Sequence, residues 1–460
     1  MQNIRLYTDG GYIERLLNEA VGADQAALEK ILDKAENFYG LAHNEVAALL
    51  KMDDNGPWER VFNIAGKIKA RIYGDRVVMF APLYVSDYCV NNCAYCGFAE
   101  GRGVKRRKLT MDEIRAEVNI LENMGHKRIA LEAGEDPVNA PLSYILDALQ
   151  AIYSVKGKSG GIRRVNVNIA ATDTDSYRQL KAAGIGTYIL FQETYHRPTY
   201  ESVHGDGPKK DYVYHSTAFD RAMDGGLDDV GGGALFGLYD SDYEVIGLML
   251  HSEYLEEKYG AGFHTISLPR IRKAEGRQTN WPHAVSDEKF LKLAAVVRLA
   301  VPYTGIIIST RETPEMRRRL ISCGVSQLSG GSAVEVGGYS LREKNAKQFN
   351  VMDGRTPQDI LLWLMDEGLV PSFCTACYRS GRTGDRFMAL AKSGGIKNVC
   401  APNALITLAE YASDYGSEQF RSKALALIDK KISGLDTEAE QKKLRETIER
   451  ILSGERDLFV

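Results

Sequence analysis

Apolar residues recur at helical spacing over residues 1 to 76, for example in the segment 12–17 and at Leu49 and Leu50. The run 53–57, Asp-Asp-Asn-Gly-Pro, interrupts this pattern and predicts a break between helices. From Val77 onward, short runs rich in β-branched residues alternate with amphipathic stretches. This alternation indicates parallel strands joined by helical crossovers. We therefore expect an N-terminal helical extension, residues 1–76, in front of an α/β domain.

Eight segments carry the strand pattern. They are residues 77–84, 127–134, 163–170, 187–194, 229–236, 265–271, 304–310 and 325–330. Eight such βα units match a (β/α)8 TIM-type barrel, which typically needs about 250 residues. A doubly wound sheet is the alternative, but no GxGxxG fingerprint follows the first strand. In a parallel barrel the reacting groups lie on the loops that leave the C-terminal ends of the strands.

Three helix starts can be read from capping residues. Thr110 and Glu113 have the spacing of a capping box, Ser286 is followed by Glu288 and Lys289 in the first turn, and Thr356 is followed by a proline at the first helical position. Beyond about residue 345 the strand pattern stops. We therefore expect the barrel to span residues 77–345 and a helical C-terminal domain to span residues 346–460.

Charge and hydropathy exclude several classes of partner. The chain of 460 residues has a formal net charge of −3, so we expect no nucleic-acid partner, and the basic run 105–108 is short enough to be a solvated or phosphate-facing loop. No segment approaches the roughly 18 apolar residues of a membrane span. The first residues also lack the basic and apolar regions of a signal peptide. We expect no membrane contact and a cytoplasmic location.

The seven cysteines fall into two groups of three, with Cys323 alone between them as an expected small buried apolar residue. An odd number is a poor disulfide pattern. The first group, Cys89, Cys93 and Cys96, has the spacing CX3CX2C. A cubane iron–sulfur cluster normally takes four thiolates, so three leave one iron open for a non-protein ligand. A structural zinc site would need a fourth protein ligand, and the nearest histidine, His126, lies far along the chain.

The CX3CX2C loop, with Phe98 directly after it, resembles the radical S-adenosylmethionine (SAM) superfamily. The resemblance implies a [4Fe-4S] cluster whose open iron chelates SAM and whose electron cleaves SAM to a 5′-deoxyadenosyl radical. It also implies that the turn after the second strand receives SAM, although Ala133 stands where the superfamily often has glycine. Phe98, Gly134 and Glu135 are therefore candidate cofactor-binding residues.

Polar side chains at two other strand ends are further candidates. Asn166 and Asn168 alternate with valine in the third strand, so one face of that strand is polar, and Asn168 either contacts a ribose or the substrate or belongs to ordinary polar packing in the barrel. The segment 191–196 concentrates hydrogen-bonding groups, and their burial in a barrel mouth is costly unless a ligand satisfies them. We therefore expect a ligand role for one or more of Gln192, Glu193 and Tyr195.

The fifth and seventh strands supply two more features. Arg311 follows the seventh strand and can clamp a substrate carboxylate, or instead form a salt bridge with Glu312 or Glu315. The run Gly231–Gly233 in the fifth strand removes side chains where something must come close. We expect an adenine or a sugar to occupy that space.

The second group, Cys374, Cys377 and Cys400, is a CX2C pair followed by a distant single cysteine. It fits a three-ligand zinc site, a redox pair with a bystander, or a second cluster with an open iron. Because the first motif also offers three thiols, we favour a second cluster. His251 and His264 are possible iron ligands.

Longer runs extend the resemblance over almost the whole chain. The sequence is similar to the HydG family of tyrosine lyases, which mature [FeFe]-hydrogenase, in the C-terminal triplet and in residues 131–137, 189–200, 235–240 and 264–271. The resemblance implies that L-tyrosine is cleaved to p-cresol and dehydroglycine. It further implies that dehydroglycine becomes CO and cyanide at an auxiliary cluster that carries an extra iron. A ferredoxin or flavodoxin would be the reductant, and other hydrogenase maturases would be partners.

Two alternatives remain open. The related 2-iminoacetate (dehydroglycine) synthases of thiazole biosynthesis share the barrel but not the C-terminal cysteine triplet, and they stop before CO and cyanide. A non-catalytic metal carrier would use the C-terminal cysteines to bind zinc. Release of CO would separate the first alternative from the maturase, and the number of iron–sulfur clusters would separate the second.

Overall fold

The computed structural model describes residues 6–101, 103, 105–272, 280–340 and 347–460. A short 3₁₀ helix, Leu6–Thr8, and four α-helices precede the first strand: α1 (Gly10–Glu19), α2 (Gln25–Ala35), α3 (His43–Leu50) and α4 (Trp58–Tyr73). Side chains of Asp9 and Asp24 cap the first two helices. The apolar faces of these helices are part of the main hydrophobic core. The predicted N-terminal helical region is confirmed.

In the described residues, eight parallel strands close into a barrel. They are β1 (Arg76–Ser86), β2 (Arg128–Ala133), β3 (Arg164–Asn168), β4 (Tyr188–Ile189), β5 (Val230–Gly233), β6 (Thr265–Ser267), β7 (Gly305–Ile308) and β8 (Gln327–Ser329). Each strand pairs with its sequence neighbours, and β1 pairs with both β2 and β8. The TIM-type barrel is confirmed. Several strands end earlier than predicted, because the residues that follow them leave the ladder and line the barrel mouth.

Helices on the outside of the barrel connect these strands. They are α5 (Met111–Asn123), α6 (Leu142–Ser154), α7 (Thr174–Ala182), α8 (Arg197–Val203), α9 (Tyr212–Ser216), α10 (Ala218–Asp224), α11 (Ser241–Tyr259), α12 (Asp287–Ala300) and α13 (Pro314–Ser322). The predicted caps are present: Thr110 and Glu113 form a capping box on α5, and Ser286 caps α12. Because helices cover the sheet, β1 is buried along most of its length, as its continuous apolar run requires.

The C-terminal region contains one strand that was not predicted. Its elements are α14 (Pro357–Asp366), β9 (Val370–Ser372), α15 (Ala376–Arg379), α16 (Gly384–Lys392), α17 (Ile396–Asp414), α18 (Glu418–Ser433) and α19 (Glu438–Leu452). The expectation that strands stop near residue 345 is therefore wrong, and the predicted boundary at 345–346 lies outside the described residues.

The position of β9 decides where the second cysteine group lies. Val78 of β1 pairs with Gln327 of β8 and with Ser372 of β9, so β9 occupies the opposite edge of β1 from β8. The strand β2 pairs with β1 only from Ala81 onward. The strand β9 therefore lies beside the start of β1, at the N-terminal end of the barrel.

Candidate active site and second cysteine site

The loop that leaves the C-terminal end of β1, here called the first cysteine loop, carries the three thiols Cys89, Cys93 and Cys96. Backbone hydrogen bonds hold this loop on two sides. The Val90 amide donates to the Glu135 carbonyl at 2.8 Å, and the Ala94 amide donates to the Val203 carbonyl at 2.9 Å. The loop is thus attached both to the end of β2 and to α8, which fixes the three thiols against the barrel mouth.

The surroundings of the three sulfur atoms fit an iron–sulfur cluster. The Phe98 amide donates to the Cys96 sulfur at 3.4 Å, and the Asn91 side-chain amide lies 3.7 Å from the Cys89 sulfur. Such N–H groups tune cluster potentials. Burial raises the pKa of Cys93 to about 12, so a bound metal would be needed to keep that sulfur as a thiolate.

The turn at Gly134 and Glu135 packs directly on the first cysteine loop. The Gly134 amide donates to the Ser86 carbonyl at 3.0 Å, and a Cβ atom on Gly134 would lie 2.3 Å from the Tyr88 carbonyl oxygen. Only glycine allows this approach of two backbone segments. The Glu135 carboxylate accepts a hydrogen bond from the Asn91 side chain at 2.6 Å.

A cavity of about 210 Å³, the first cavity, opens between the first cysteine loop and the barrel interior. Much of its wall is apolar, as at Phe191, Leu235 and Ile307. Five charged side chains also line it: Glu132, Glu135, Glu193, Lys209 and Arg311. The predicted residues Phe98 and Asn168 lie in the same wall. The structure thus brings most of the predicted strand-end residues together around one space.

Glu132 and Arg311 face this cavity from β2 and from the loop after β7. Burial raises the pKa of Glu132 to about 8, although nearby Arg311 opposes the shift. The Arg311 guanidinium lies 3.6 Å from the centre of the Phe349 ring. The predicted alternative partner, Glu312, instead accepts hydrogen bonds from Arg270 at 2.5 and 2.9 Å, so the salt-bridge interpretation of Arg311 with Glu312 is wrong.

Lys209 is a cavity residue that the sequence did not reveal. Its ammonium group donates to the Glu193 carboxylate at 2.6 Å, and its backbone amide donates to the Asn91 side chain at 2.9 Å. Burial would lower the pKa of Lys209, but Glu193 raises it above its ordinary value. Glu193 itself has φ 67°, a conformation that non-glycine residues adopt at a cost and often at functional sites. Lys209 lies in a short 3₁₀ helix without any periodic pattern, which is why no signal pointed to it.

Gln192 and Tyr195, two predicted cofactor-binding residues, do not line the first cavity. Gln192 is buried, and its side-chain amide lies 3.5 Å from the Thr194 carbonyl. Tyr195 turns beneath α11, where its hydroxyl lies 3.0 Å from the Nδ1 atom of His251. Phe191 and Glu193 line the cavity, so Gln192 between them points away by the ordinary alternation of side chains, and Tyr195 follows the residue with positive φ, Glu193.

The Gly231–Gly233 run does not leave room for an adenine or a sugar, so that expectation is wrong. A Cβ atom on Gly232 would lie 2.6 Å from the Phe263 ring, and one on Gly233 would lie 2.8 Å from the Phe191 ring. The space that these glycines provide is therefore filled by side chains of the barrel itself.

Three thiols form the second cysteine set: Cys374 after β9, Cys377 in α15 and Cys400 in α17. All three line a second cavity. Arg76, Arg128 and Gln327, which begin β1, β2 and β8, line the same cavity, so it lies at the N-terminal end of the barrel. The two cysteine groups are therefore at opposite ends of the barrel.

The chemistry around the second cysteine set also fits an iron–sulfur cluster. The Ala376 amide donates to the Cys374 sulfur at 3.4 Å. A hydrogen bond with Cys400 lowers the pKa of Cys377, and the Arg76 guanidinium acts in the same direction. Arg128 donates to the Cys374 carbonyl at 3.0 Å. Burial raises the pKa of Cys374, and the hydrogen bond with Cys377 together with burial raises the pKa of Cys400, while the Arg76 guanidinium opposes both shifts. Neither arginine was identified from the sequence.

The two candidate histidines lie in different places. His264 lines the second cavity, and burial lowers its pKa to about 4, so it is neutral, the form in which histidine binds metals. His251 lines neither cavity, because its ring stacks on Tyr7 with centroids 3.9 Å apart. The structure therefore does not bring His251 to the second cysteine set, and its prediction as a metal ligand there is corrected.

The described residues lack two features that would change this picture. In these ranges, no three histidine, cysteine, aspartate or glutamate side chains converge closely enough to hold a single metal ion. A cubane cluster has a different requirement, because it presents a separate iron to each thiolate. No helix in the described part of the chain has the length and apolar character needed to cross a membrane.

Comparisons with known proteins agree with this geometry. Residues 83–249 match the model of the radical SAM superfamily, and residues 267–370 match the biotin and thiamin synthesis associated domain. The chain is 30% identical to 2-iminoacetate synthase of Escherichia coli K12 over 343 residues, which are 74% of this chain and 89% of that protein. A crystal structure of HydG, a maturase of the [FeFe]-hydrogenase, superposes with a TM-score of 0.96 at 51% identity and covers 99% of this chain and 100% of its own.

The chain belongs to the HydG family of radical SAM proteins. The structure of HydG from Carboxydothermus hydrogenoformans agrees, with a TM-score of 0.86 and 36% identity over 97% of this chain and 100% of its own. As a member of the radical SAM superfamily, the chain is an enzyme that uses a [4Fe-4S] cluster and SAM. The match to HydG extends through the C-terminal region, whereas the match to 2-iminoacetate synthase covers a smaller part of the chain.

Proposed function

We propose that this enzyme is a maturase of [FeFe]-hydrogenase that cleaves the Cα–Cβ bond of L-tyrosine. The products of this first stage would be p-cresol and dehydroglycine, and dehydroglycine would then be converted to CO and cyanide. The observation that carries the proposal is the presence of two three-cysteine sites at opposite ends of one barrel, each with its own cavity. One chain can thus hold two separate metal centres, one for each stage.

In the proposed first stage, Cys89, Cys93 and Cys96 would hold a cluster with one iron open to SAM. The Glu135 carboxylate and the backbone at Gly134 lie directly beside this loop, so they would receive the amino group of SAM. When bound, the reduced cluster supplies the electron that cleaves SAM to a 5′-deoxyadenosyl radical. The apolar cavity wall would exclude water from that radical.

The substrate would bind in the first cavity. The Arg311 guanidinium would bind the carboxylate of L-tyrosine, because arginine can make two parallel hydrogen bonds to a carboxylate. Asn168 would contact the substrate or the ribose of SAM, and Phe98 would pack on the cofactor beside the first cysteine loop. Holding the amine close to the radical is what the barrel contributes to the rate.

In the proposed second stage, Cys374, Cys377 and Cys400 would hold an auxiliary iron–sulfur cluster, and His264 would help to bind an additional iron. When bound, this cluster supplies the metal at which dehydroglycine becomes CO and cyanide. Arg76 and Arg128 would balance the negative charge of the thiolates. A ferredoxin or flavodoxin would provide electrons, and other hydrogenase maturases would receive the product.

Anaerobic turnover with L-tyrosine, SAM and a reductant tests both stages in one reaction. The wild-type enzyme should release p-cresol and CO together. Cys89→Ala should abolish both products, whereas Cys374→Ala should keep p-cresol and lose CO. Cys323→Ala is the matched control, because this buried cysteine lines neither described cavity, and it should keep both products.

The alternative function is 2-iminoacetate synthesis, which the 30% identity to the Escherichia coli enzyme favours. Under that function, the wild-type enzyme would form p-cresol without any CO, and Cys374→Ala would change nothing. Absence of p-cresol in the wild type, with SAM cleavage intact, would instead exclude L-tyrosine as the substrate.

A further inference from the structure

The five charged residues of the first cavity differ in their partners. Glu135 is held by Asn91, and Glu193 is held by Lys209. The side chain of Glu132 has a hydrogen bond with the neutral Asn168 side chain, but among the described residues neither Glu132 nor Arg311 has a partner of opposite charge within ion-pair distance. Their charged groups are therefore available to a ligand in the cavity.

Glu132 and Arg311 approach the cavity from different strands. Glu132 lies on β2 in register with Tyr84 of β1 and Asn168 of β3. Arg311 leaves β7 and is close enough to oppose the raised pKa of Glu132. One acid and one guanidinium, neither of them in an ion pair, thus face the same partly apolar space. This arrangement is complementary to an α-amino acid, which carries an ammonium and a carboxylate on one carbon.

We propose that Glu132 binds the α-amino group of the substrate and accepts a proton from it, while Arg311 holds the substrate carboxylate. The proposal rests on the proposed function, because it takes L-tyrosine as the amino acid. The proton moves from the ammonium nitrogen to a carboxylate oxygen of Glu132, which leaves a neutral amine and a neutral carboxylic acid. No electron moves in this step.

A neutral amine is the form from which a hydrogen atom can leave at lower cost. Removal of a hydrogen atom from the neutral amine gives a neutral aminyl radical, whereas removal from the ammonium gives a radical cation. A charge in this partly apolar cavity would lose its hydration without full compensation. Transfer of the proton to Glu132 therefore removes the charge from the reacting nitrogen before the radical forms.

Proton transfer to Glu132 requires little free energy in this environment. Burial raises the pKa of Glu132 to about 8, which brings it towards the pKa of the substrate ammonium; that pKa lies somewhat above the value of about 8 for a peptide α-amino group, because the carboxylate of a free amino acid is adjacent to the ammonium. An acid and an amine of similar pKa share a proton with little free-energy cost. The other ionisable groups near Glu132 or its neighbour Arg311 include Tyr84, whose pKa burial raises far above its usual value, and the Cys96 thiol. Neither group is a better acceptor, since Tyr84 stays protonated and Cys96 belongs to the first cysteine loop. Glu193 also lies near Arg311, but its carboxylate is already paired with Lys209.

The variant Glu132→Gln tests the proposal, because it keeps the size of the side chain but cannot accept a proton. We expect kcat/KM for p-cresol formation to fall by about 10²–10⁴-fold, the usual contribution of a general base. The activity ratio of wild type to variant should become smaller as the pH rises past the pKa of the free tyrosine ammonium, which lies somewhat above the value of about 8 for a peptide α-amino group, because tyrosine then arrives with a neutral amine. Glu59→Gln, the same change on the exposed face of α4, is the matched control and should behave as wild type.

A second variant distinguishes the loss of a proton acceptor from a loss of folding. Glu132→Asp keeps the carboxylate and should recover part of the activity that Glu132→Gln loses. A constant activity ratio at every pH, or no rescue by aspartate, would overturn the proposal in favour of a packing role. Failure of the wild type to form p-cresol would refute the proposed function itself, which is a different and separately visible result.

Discussion

A methyl group at Gly134 tests how closely the end of β2 must approach the first cysteine loop. In Gly134→Ala, the new Cβ atom would lie 2.3 Å from the Tyr88 carbonyl oxygen and 3.0 Å from the Cβ atom of Cys89. The backbone cannot simply rotate away, because the Gly134 amide is bonded to Ser86 and the Glu135 carbonyl is bonded to Val90. The loop must therefore move by about 1 Å to restore an ordinary contact.

The magnitude of the effect follows from this displacement. Overpacking of a fitted site costs about 1–3 kcal/mol, which is small against a typical stability of about 5–15 kcal/mol, so the variant should still fold. A shift of about 1 Å at a reacting centre can lower the rate about 10²-fold. We therefore expect SAM cleavage to fall about a hundredfold while the melting temperature decreases only modestly.

Anaerobic formation of 5′-deoxyadenosine from SAM and a chemical reductant measures this effect. Gly354→Ala is the matched control, because no atom lies within 4 Å of the place that a Cβ atom would take there, and its φ is not positive. The control should cleave SAM at the wild-type rate. Wild-type SAM cleavage by Gly134→Ala would refute the claim that this close backbone contact positions the loop.

Three further variants test buried residues away from this contact. Arg270→Met removes two hydrogen bonds from the buried Glu312 carboxylate and leaves Arg272 as its ion-pair partner, so the free energy of unfolding should fall by about 1–3 kcal/mol in denaturant titrations. His126 is buried, and burial lowers its pKa to about 4, so the unfolded state binds more protons than the folded state between about pH 6.5 and 4. The wild type therefore loses stability as the pH falls through this range, and His126→Leu does not. In thermal melts, the melting temperature of His126→Leu should rise relative to that of the wild type as the pH falls. A difference in melting temperature between His126→Leu and wild type that stays constant over this pH range would contradict this expectation. Cys323→Ala should leave the iron content unchanged, because this buried cysteine lines neither described cavity. Loss of iron in this variant would contradict the expectation that Cys323 is not an iron ligand.

Much of the fold could be predicted because each barrel strand leaves a local pattern. A parallel strand covered by helices is a short apolar run, and all eight runs occur where the strands lie. The strand β9 left no such pattern. Its three residues include Pro371, and its pairing with β1 depends on the distant segment 76–78. Long-range pairing of so short a segment cannot be read from periodicity.

The candidate site was predictable where spacing along the chain determines proximity. The cysteine groups and the turn at Gly134 are of this kind. Gln192 points away because its neighbours Phe191 and Glu193 face the cavity, and Tyr195 lies beyond Glu193, whose positive φ is not visible in the sequence. Lys209 reaches the cavity from a turn that follows α8, so only the folded chain brings it to Glu193.

The different positions of His251 and His264, of which only His264 lines the second cavity, have a similar cause. Both histidines lie close together in the sequence, around the end of α11. His251 is within the helix and stacks on Tyr7 from the N-terminal region, whereas His264 lies just before β6 and faces the second cavity. The N-terminal residue that buries His251 is far away in the chain, so the sequence offered no basis for choosing between the two.

The central claim is that both cysteine groups hold an iron–sulfur cluster, and counting the clusters tests it most directly. After anaerobic reconstitution, iron and sulfide analysis with electron paramagnetic resonance should find two cubane clusters, which together hold about eight irons per wild-type chain besides any additional iron at His264. Cys89→Ala and Cys374→Ala should each lose one cluster and its signal. A wild-type chain with a single cluster that Cys374→Ala leaves unchanged, or with zinc at the second set, would contradict the claim.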